Sequence, residues 1–250
     1  MNPRYPRRGV YVLPNLFTTA SLFAGFYSII ASINGHYRVA AVVIFIAMIL
    51  DGLDGRVARM THTESAFGAE YDSLADVIAF GMAPAILIFL WGLRDFGNFG
   101  WLGAFVYTAC GALRLARFNT QVHNASKRYF QGLPIPTAAA VLASLVWVAV
   151  GEGYPWLTQI SEYLALGLVY ALGLLMVSNV RFRSFKDFDL HGRVPFALAI
   201  LVVLALALVA VHPPLVLFIA VISYVLIGLL LTLWQLRNRR IQRRRSGPGH

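Results

Sequence analysis

Of 250 residues 58% are hydrophobic and only 13% charged, too apolar a chain for a soluble domain, so lipid is the solvent for most of it. The formal net charge of +10 lies in short clusters beside apolar runs with no recognisable nucleic-acid module, which excludes a nucleic-acid partner and points to membrane orientation and anionic lipid headgroups. The single cysteine, Cys110, excludes an intrachain disulfide and a thiol metal cluster, and reads as a small buried residue.

Along the chain, apolar runs of roughly 20 residues, enough to cross a hydrocarbon core of ~30 Å, recur between short polar connections. They predict helices over 15–34, 38–60, 71–92, 98–118, 135–150, 160–179, 195–211 and 214–236: an all-α, polytopic transmembrane helical bundle of about eight helices. Arg4, Arg7 and Arg8 ahead of the first run resemble the front of a signal peptide. No small-residue cleavage site follows between Ser28 and Gly35, so a retained first helix is expected. A cytoplasmic N-terminus places all but Arg38 and Arg94 of the 21 Lys and Arg on one side, and an even helix number then puts the C-terminus there too. Residues 1–236 read as one membrane domain without internal repeats. Residues 237–250 read as a basic cytoplasmic tail in which Arg237 to Arg245 continue the last span. That cluster is expected to enforce topology, with anionic lipid as the alternative use.

The acidic residues are distributed very unevenly. Asp51, Asp54, Glu64, Glu70, Asp72 and Asp76 make up more than half of the 11 in the chain and fall within one short segment. Asp51 and Asp54 follow the apolar run Val39 to Leu50 directly, while Asp72 and Asp76 lead into Val77 to Trp91, so both pairs belong to the ends of membrane helices. Spacings of i,i+3 and i,i+4 put each pair on one helix face, and the two faces can meet across a hairpin. Four carboxylates facing each other near lipid would repel or take up protons unless a highly charged cation lay between them. Oxygen-only ligands favour Mg²⁺, Mn²⁺ or Ca²⁺ over zinc. Gly52, Gly55, Ala58 and Gly68 keep bulk away from the same segment, as a nucleotide diphosphate approaching the backbone would require. Arg59 is placed to pair with a phosphate or to brace a carboxylate.

The segment reads Asp51-x-x-Asp54-Gly55-x-x-Ala58-Arg59, then, after eight residues, Gly68-x-x-x-Asp72-x-x-x-Asp76. It matches at every fixed position the signature of the CDP-alcohol phosphotransferase family, which this chain resembles. The resemblance implies a six-helix family core, to which two helices are added here, and a membrane-bound transferase acting on a CDP-activated lipid. It implies that two divalent ions are bound, one by Asp51, Asp54 and Asp72 and the other by Asp51, Asp72 and Asp76, with Asp76 as general base toward the acceptor hydroxyl. It further implies that Gly55, Ala58 and Gly68 shape the cytidine pocket with Arg59 close by, and that the protein is a homodimer. Asn15 and Thr18, at the start of the first predicted helix, are candidates to hydrogen-bond the nucleotide, helix capping being the alternative use of Asn15.

The signature leaves the acceptor open among serine, glycerol 3-phosphate, inositol phosphate, choline and ethanolamine. Four further segments resemble the membrane-embedded bacterial and archaeal members that act on serine: Pro14 to Thr19, Arg114 to Asn119, Gly132 to Ala140 and Val177 to Arg181. L-serine is therefore the expected acceptor and CDP-diacylglycerol the expected donor. A site selective for serine should pair its carboxylate, for which Arg114, Arg117, Arg181 and Arg183 are candidates, and Asn119 is a candidate for the amino group. The Gly132-Leu133-Pro134-x-Pro136 stretch reads as a loop edging the site or as a re-entry turn, with Pro136 at a helix start.

A transporter is the competing class, because intramembrane carboxylates also mark ion pathways. It predicts acids spread through the bilayer and two halves with matching interrupted helices, whereas the acids here gather at one level. The expected location is the cell membrane, multi-pass, with the active site facing the cytoplasm. The six histidines are scattered without metal or triad spacing, and the five tryptophans, near span ends, read as interfacial anchors.

Overall fold

The computed structural model describes residues 12–61, 63, 65–121, 129–151, 155–178, 180–183 and 211–245. α1 (Val12–Ile33) and α2 (Tyr37–Thr61) form an antiparallel pair that turns at Gly35, whose φ of 76° suits a residue without a Cβ. Hydroxyls pin the pair together: Ser21 Oγ donates to Ala47 O at 3.0 Å and Ser28 Oγ to Ala40 O at 2.9 Å. Small polar residues of this kind let two apolar helices approach closely where no water drives them together.

The third rod begins as α3 (Ala66–Asp76), passes through a π-helical turn at Val77–Met82, and continues as α4 (Ala83–Ile88) into a second π turn at Phe89–Leu93. It starts five residues ahead of the expected 71, because Ser65 caps it: its side chain accepts from Gly68 N at 3.0 Å. α5 (Asn98–Gln121), α6 (Ile135–Gly151), α7 (Pro155–Val177) and α8 (Pro213–Arg245) complete the described helices. α8 runs through the basic stretch to Arg245, as expected from the sequence. The predicted helix over 195–211 lies outside the described residues apart from Val211.

Among the described residues five helices are long and apolar enough to cross a membrane by length and composition, the longest such stretch being Ala66–Phe96. α2 carries Arg38, Asp51, Asp54, Arg56 and Arg59, and α6 has only 17 residues, so neither matches a plain span. α6 packs against α2, α7 and α8 and is buried along nearly its whole length, as a helix that is apolar all round should be. Around this centre, Phe23, Leu174 and Leu230 are each more than 60% exposed and point outward, a surface that lipid covers. Trp147 differs from a plain interfacial anchor, since its ring packs on Phe45 of α2 at 6.0 Å between centroids.

Among the described residues the only strand pairing joins Tyr129–Gln131 to Arg181–Arg183, antiparallel, with Gln131 opposite Arg181. It ties the chain leaving α5 to the chain leaving α7. Gly132 follows at φ 83° and donates its N–H to Val180 O at 2.9 Å. A Cβ at this position would strike Met176 O, so the turn requires glycine. The start of α1, the end of α2, the start of α3 and the end of α5 thereby meet at one end of the bundle, the end where the α6 and α7 connections also close.

Candidate metal centre

α2 stays helical past its apolar run, and of Asp51-Gly52-Leu53-Asp54-Gly55 only Asp54 is buried. It ends at Thr61, whose hydroxyl bonds back to Val57 O at 2.7 Å, and Thr63 N closes the last turn onto Ala58 O at 3.0 Å. The chain then reverses into the Ser65 cap. This short reversal brings the i,i+3 pair of α2 opposite the i,i+4 pair of α3. Asp51 neighbours Asp76, and Asp54 neighbours Asp72. Asp76 is ten residues beyond Ala66, about 15 Å along the helix axis, so the cluster sits well inside the bundle end.

Carboxylate oxygens of Asp51, Asp72 and Asp76 all lie within 4.8 Å of one another. Asp72 Oδ1 and Asp76 Oδ1 are buried with no hydrogen-bond partner. Carboxylates this close, two of them with a buried oxygen that has no partner, are unfavourable without a cation, so the donor set fits a hard divalent metal. Asp54 stands beside this trio. It is 6% exposed, and its Oδ2 accepts from Thr18 Oγ1 at 2.8 Å.

Thr18 therefore braces a carboxylate from α1, a contact across 36 residues that no local pattern announces. Asn15 is no helix cap, because α1 begins three residues earlier at Val12; its Oδ1 lies 3.5 Å from where a Cβ on Gly68 would be. The small residues divide into two kinds. At Gly68 an added Cβ would press on Ser65 Oγ at 3.1 Å, so protein atoms already use the space. At Gly52 and Gly55 nothing lies within 4 Å of an added Cβ, so room is left beside α2 next to the acids. Ala58 is half-buried and Arg59 exposed on the last turn of α2.

The CDP-alcohol phosphatidyltransferase family profile matches residues 11–171, from the start of α1 into α7, which includes all four aspartates. The chain belongs to this family. Among curated relatives, the CDP-diacylglycerol–serine O-phosphatidyltransferase of Helicobacter pylori is 43% identical over 208 residues, covering 83% of this chain and 85% of its own. The protein of the same name from Mycobacterium tuberculosis is 33% identical over 227 residues, 87% of this chain and 78% of its own. The archaetidylserine synthase of Methanothermobacter thermautotrophicus is 38% identical over 173 residues, 68% of this chain and 69% of its own.

On the side of this CDP-alcohol phosphatidyltransferase formed by α5, the basic residues occupy different settings. Arg114 is 9% exposed, its Nε is buried without a partner, and the charge acting on it is that of Asp76. Arg117 instead reaches the end of α7, where Nη1 donates to Val177 O at 3.4 Å. Arg181 places its backbone in the strand pair beside Gln131, and Arg183 pairs with Tyr129. Asn119 bonds to α3: its Nδ2 donates to Glu70 Oε2 at 3.2 Å and to Ser73 Oγ at 3.1 Å. Sequence reading did not single out Ser73 and gave Glu70 no role beyond its place in the acidic cluster, although both flank Asp72 on the same helix. It also did not single out Tyr107, whose hydroxyl donates to Phe80 O at 3.1 Å in the π turn just past Asp76.

Proposed function

We propose that this membrane enzyme transfers the phosphatidyl group of CDP-diacylglycerol to the hydroxyl of L-serine, giving phosphatidylserine and CMP. The observation that carries the reading is the convergence of Asp51, Asp72 and Asp76 with two orphaned oxygens, in a chain whose relatives are named as serine phosphatidyltransferases. Asp51, Asp54, Asp72 and Asp76 would hold two divalent ions, Mg²⁺ or Mn²⁺, which when bound supply charge neutralisation for the diphosphate and for departing CMP. Thr18 keeps Asp54 turned toward that centre. The open side of α2 at Gly55, with Ala58, Arg59, Gly68 and Asn15 around it, receives the cytidine end of the donor. Asp76, the inner of the two aspartates on α3, accepts the proton of the serine hydroxyl as it attacks the lipid-linked phosphorus. Arg114 pairs the serine carboxylate. Arg117, reaching from α5 to the end of α7, and Arg181, in the chain beyond α7, edge the same end, as does Asn119 of α5.

The active site faces the cytoplasm of the cell membrane, an orientation supported by the one-sided Lys and Arg distribution. The protein acts as a homodimer, with residues 1–236 as the catalytic membrane domain and 237–250 as a tail. The test is CMP release by detergent-purified protein from CDP-diacylglycerol with Mg²⁺ or Mn²⁺. Serine, glycerol 3-phosphate, inositol phosphate and choline are offered separately, with Asp76→Asn as control. Release with serine alone, accompanied by phosphatidylserine, is expected. Release with another alcohol overturns the acceptor while leaving the metal centre in place.

A further inference from the structure

The seam between α3 and α5 carries more polar chemistry than phosphoryl transfer requires. At its outer level, Asn119 Nδ2 bridges Glu70 Oε2 at 3.2 Å and Ser73 Oγ at 3.1 Å, and Ser73 Oγ lies 3.3 Å from Asn119 Oδ1. These bonds fix one oxygen of Glu70. Among the described residues no cationic side chain pairs with it. At the inner level sits Arg114, buried, with its Nε unpartnered and Asp76 as its neighbouring charge. An Asp76 engaged at a cation centre no longer neutralises Arg114 in full, so this buried guanidinium is left needing an anion.

The two levels are related by simple helix arithmetic. Arg114 and Asn119, five residues apart on α5, are about 140° apart around the helix, yet both meet α3, at Asp76 and at Glu70, which are six residues apart there, about 9 Å along the axis. An α-amino acid holds its ammonium and carboxylate roughly 3 Å apart, as standard backbone dimensions dictate. Adding a charge-assisted hydrogen bond of about 2.8 Å at each end gives a span of about 8–9 Å, close to the axial separation of the two levels. A zwitterion laid along the seam would meet an anion at the mouth and a cation at depth, with its short hydroxymethyl arm toward Asp76.

We infer that Glu70, held in place by Asn119 and Ser73, binds the acceptor's ammonium group opposite Arg114, and that this pair of opposite charges selects an amino-acid acceptor. The inference rests on the acceptor reading of the preceding subsection and refines it: Asn119 serves by orienting Glu70, and Glu70 supplies the counter-charge. Choline and ethanolamine lack the carboxylate for Arg114, and glycerol 3-phosphate lacks the ammonium for Glu70.

The experiment compares wild type, Glu70→Gln and Glu70→Asp in full-length purified protein. CMP release from CDP-diacylglycerol is measured with L-serine and with 3-hydroxypropionate, which keeps the hydroxyl and carboxylate but lacks the ammonium. Loss of a charged hydrogen bond predicts that Glu70→Gln raises KM for L-serine by about tenfold or more. KM for CDP-diacylglycerol should stay unchanged, and the preference for L-serine over 3-hydroxypropionate should shrink by the same factor. Glu70→Asp should recover part of that preference. A Glu70→Gln enzyme with unaltered serine KM and unaltered preference overturns the inference alone. So does an equal loss with both acceptors, which would mark Glu70 as a structural support of α3. A wild type that releases no CMP with serine overturns the acceptor reading itself.

Discussion

The hydroxyl of Thr18 lies 2.8 Å from Asp54 Oδ2 and donates to it, so α1 takes part in the acid cluster although it carries none of the acids. A hydrogen bond to a charged group contributes about 1.5–3 kcal/mol. Thr18→Val keeps the shape of the side chain and removes the donor. The variant should fold normally and need about tenfold more Mg²⁺ or Mn²⁺ for half-maximal CMP release. A metal titration of activity, paired with calorimetric metal binding, checks this. An unchanged titration would mean that α2 alone orients Asp54.

Asp72→Asn separates the cost of the cluster from its use. Asp51, Asp72 and Asp76 present oxygens within 4.8 Å of each other, and Asp72 Oδ1 is buried without a partner. Removing one negative charge relieves repulsion in the metal-free protein, so its melting temperature should rise. The same change removes a ligand, so the stabilisation that metal gives wild type, about 2.7 kcal/mol at a hundredfold excess over Kd, should largely vanish along with activity. Thermal melts with and without metal test both signs. A variant less stable than wild type in chelator would show that the cluster is held by other contacts.

How much of this was legible in the sequence depends on the range of each interaction. The aspartate pairs were readable because their spacing is a helix-face relationship, and the short α2–α3 reversal left few ways to join them. The start of α3 was placed late because residues 66–70 include Gly68 and Glu70 and break the apolar pattern, while the cap at Ser65 acts through one hydrogen bond. Thr18 was noticed at a helix start and assigned to nucleotide, since a contact across 36 residues leaves no periodic trace. Gly55 and Gly68 looked alike in the pattern, yet one borders open space and the other its own cap. The π turn after Asp76 has no residue signature either, being a matter of how α5 meets the rod.

Two glycines give opposite expectations. A Cβ on Gly25 of α1 would lie 2.5 Å from Ala79 Cα, in the π turn three residues past Asp76. Backbone cannot yield there as a side-chain tip would, so Gly25→Ala should cost about 1–3 kcal/mol and lower the melting temperature. Gly55→Leu enters open space, so the fold should survive while KM for CDP-diacylglycerol rises about tenfold as the donor is excluded. Melting curves and donor titrations on both variants distinguish the two. A Gly55→Leu protein with normal donor KM would remove this side of α2 from the nucleotide site.

Tyr107 offers the last handle, from outside the cluster. It is fully buried in α5, and its hydroxyl donates to Phe80 O at 3.1 Å, while Thr108 Oγ1 lies 3.3 Å from Gly81 O. A π turn replaces the regular i to i−4 pattern, and two of its carbonyls, those of Phe80 and Gly81, accept from these hydroxyls in the neighbouring helix. The turn begins at the residue after Asp76, so its conformation sets how that carboxylate meets Asp51. Tyr107→Phe leaves the ring in place and orphans one carbonyl, a change of about 1–3 kcal/mol. The expected result is a modest fall in melting temperature with a several-fold fall in kcat and little change in KM for serine. Were kcat to hold while stability dropped, the bond would belong to packing alone, and Asp76 would be positioned by α2 and α3 without help from α5.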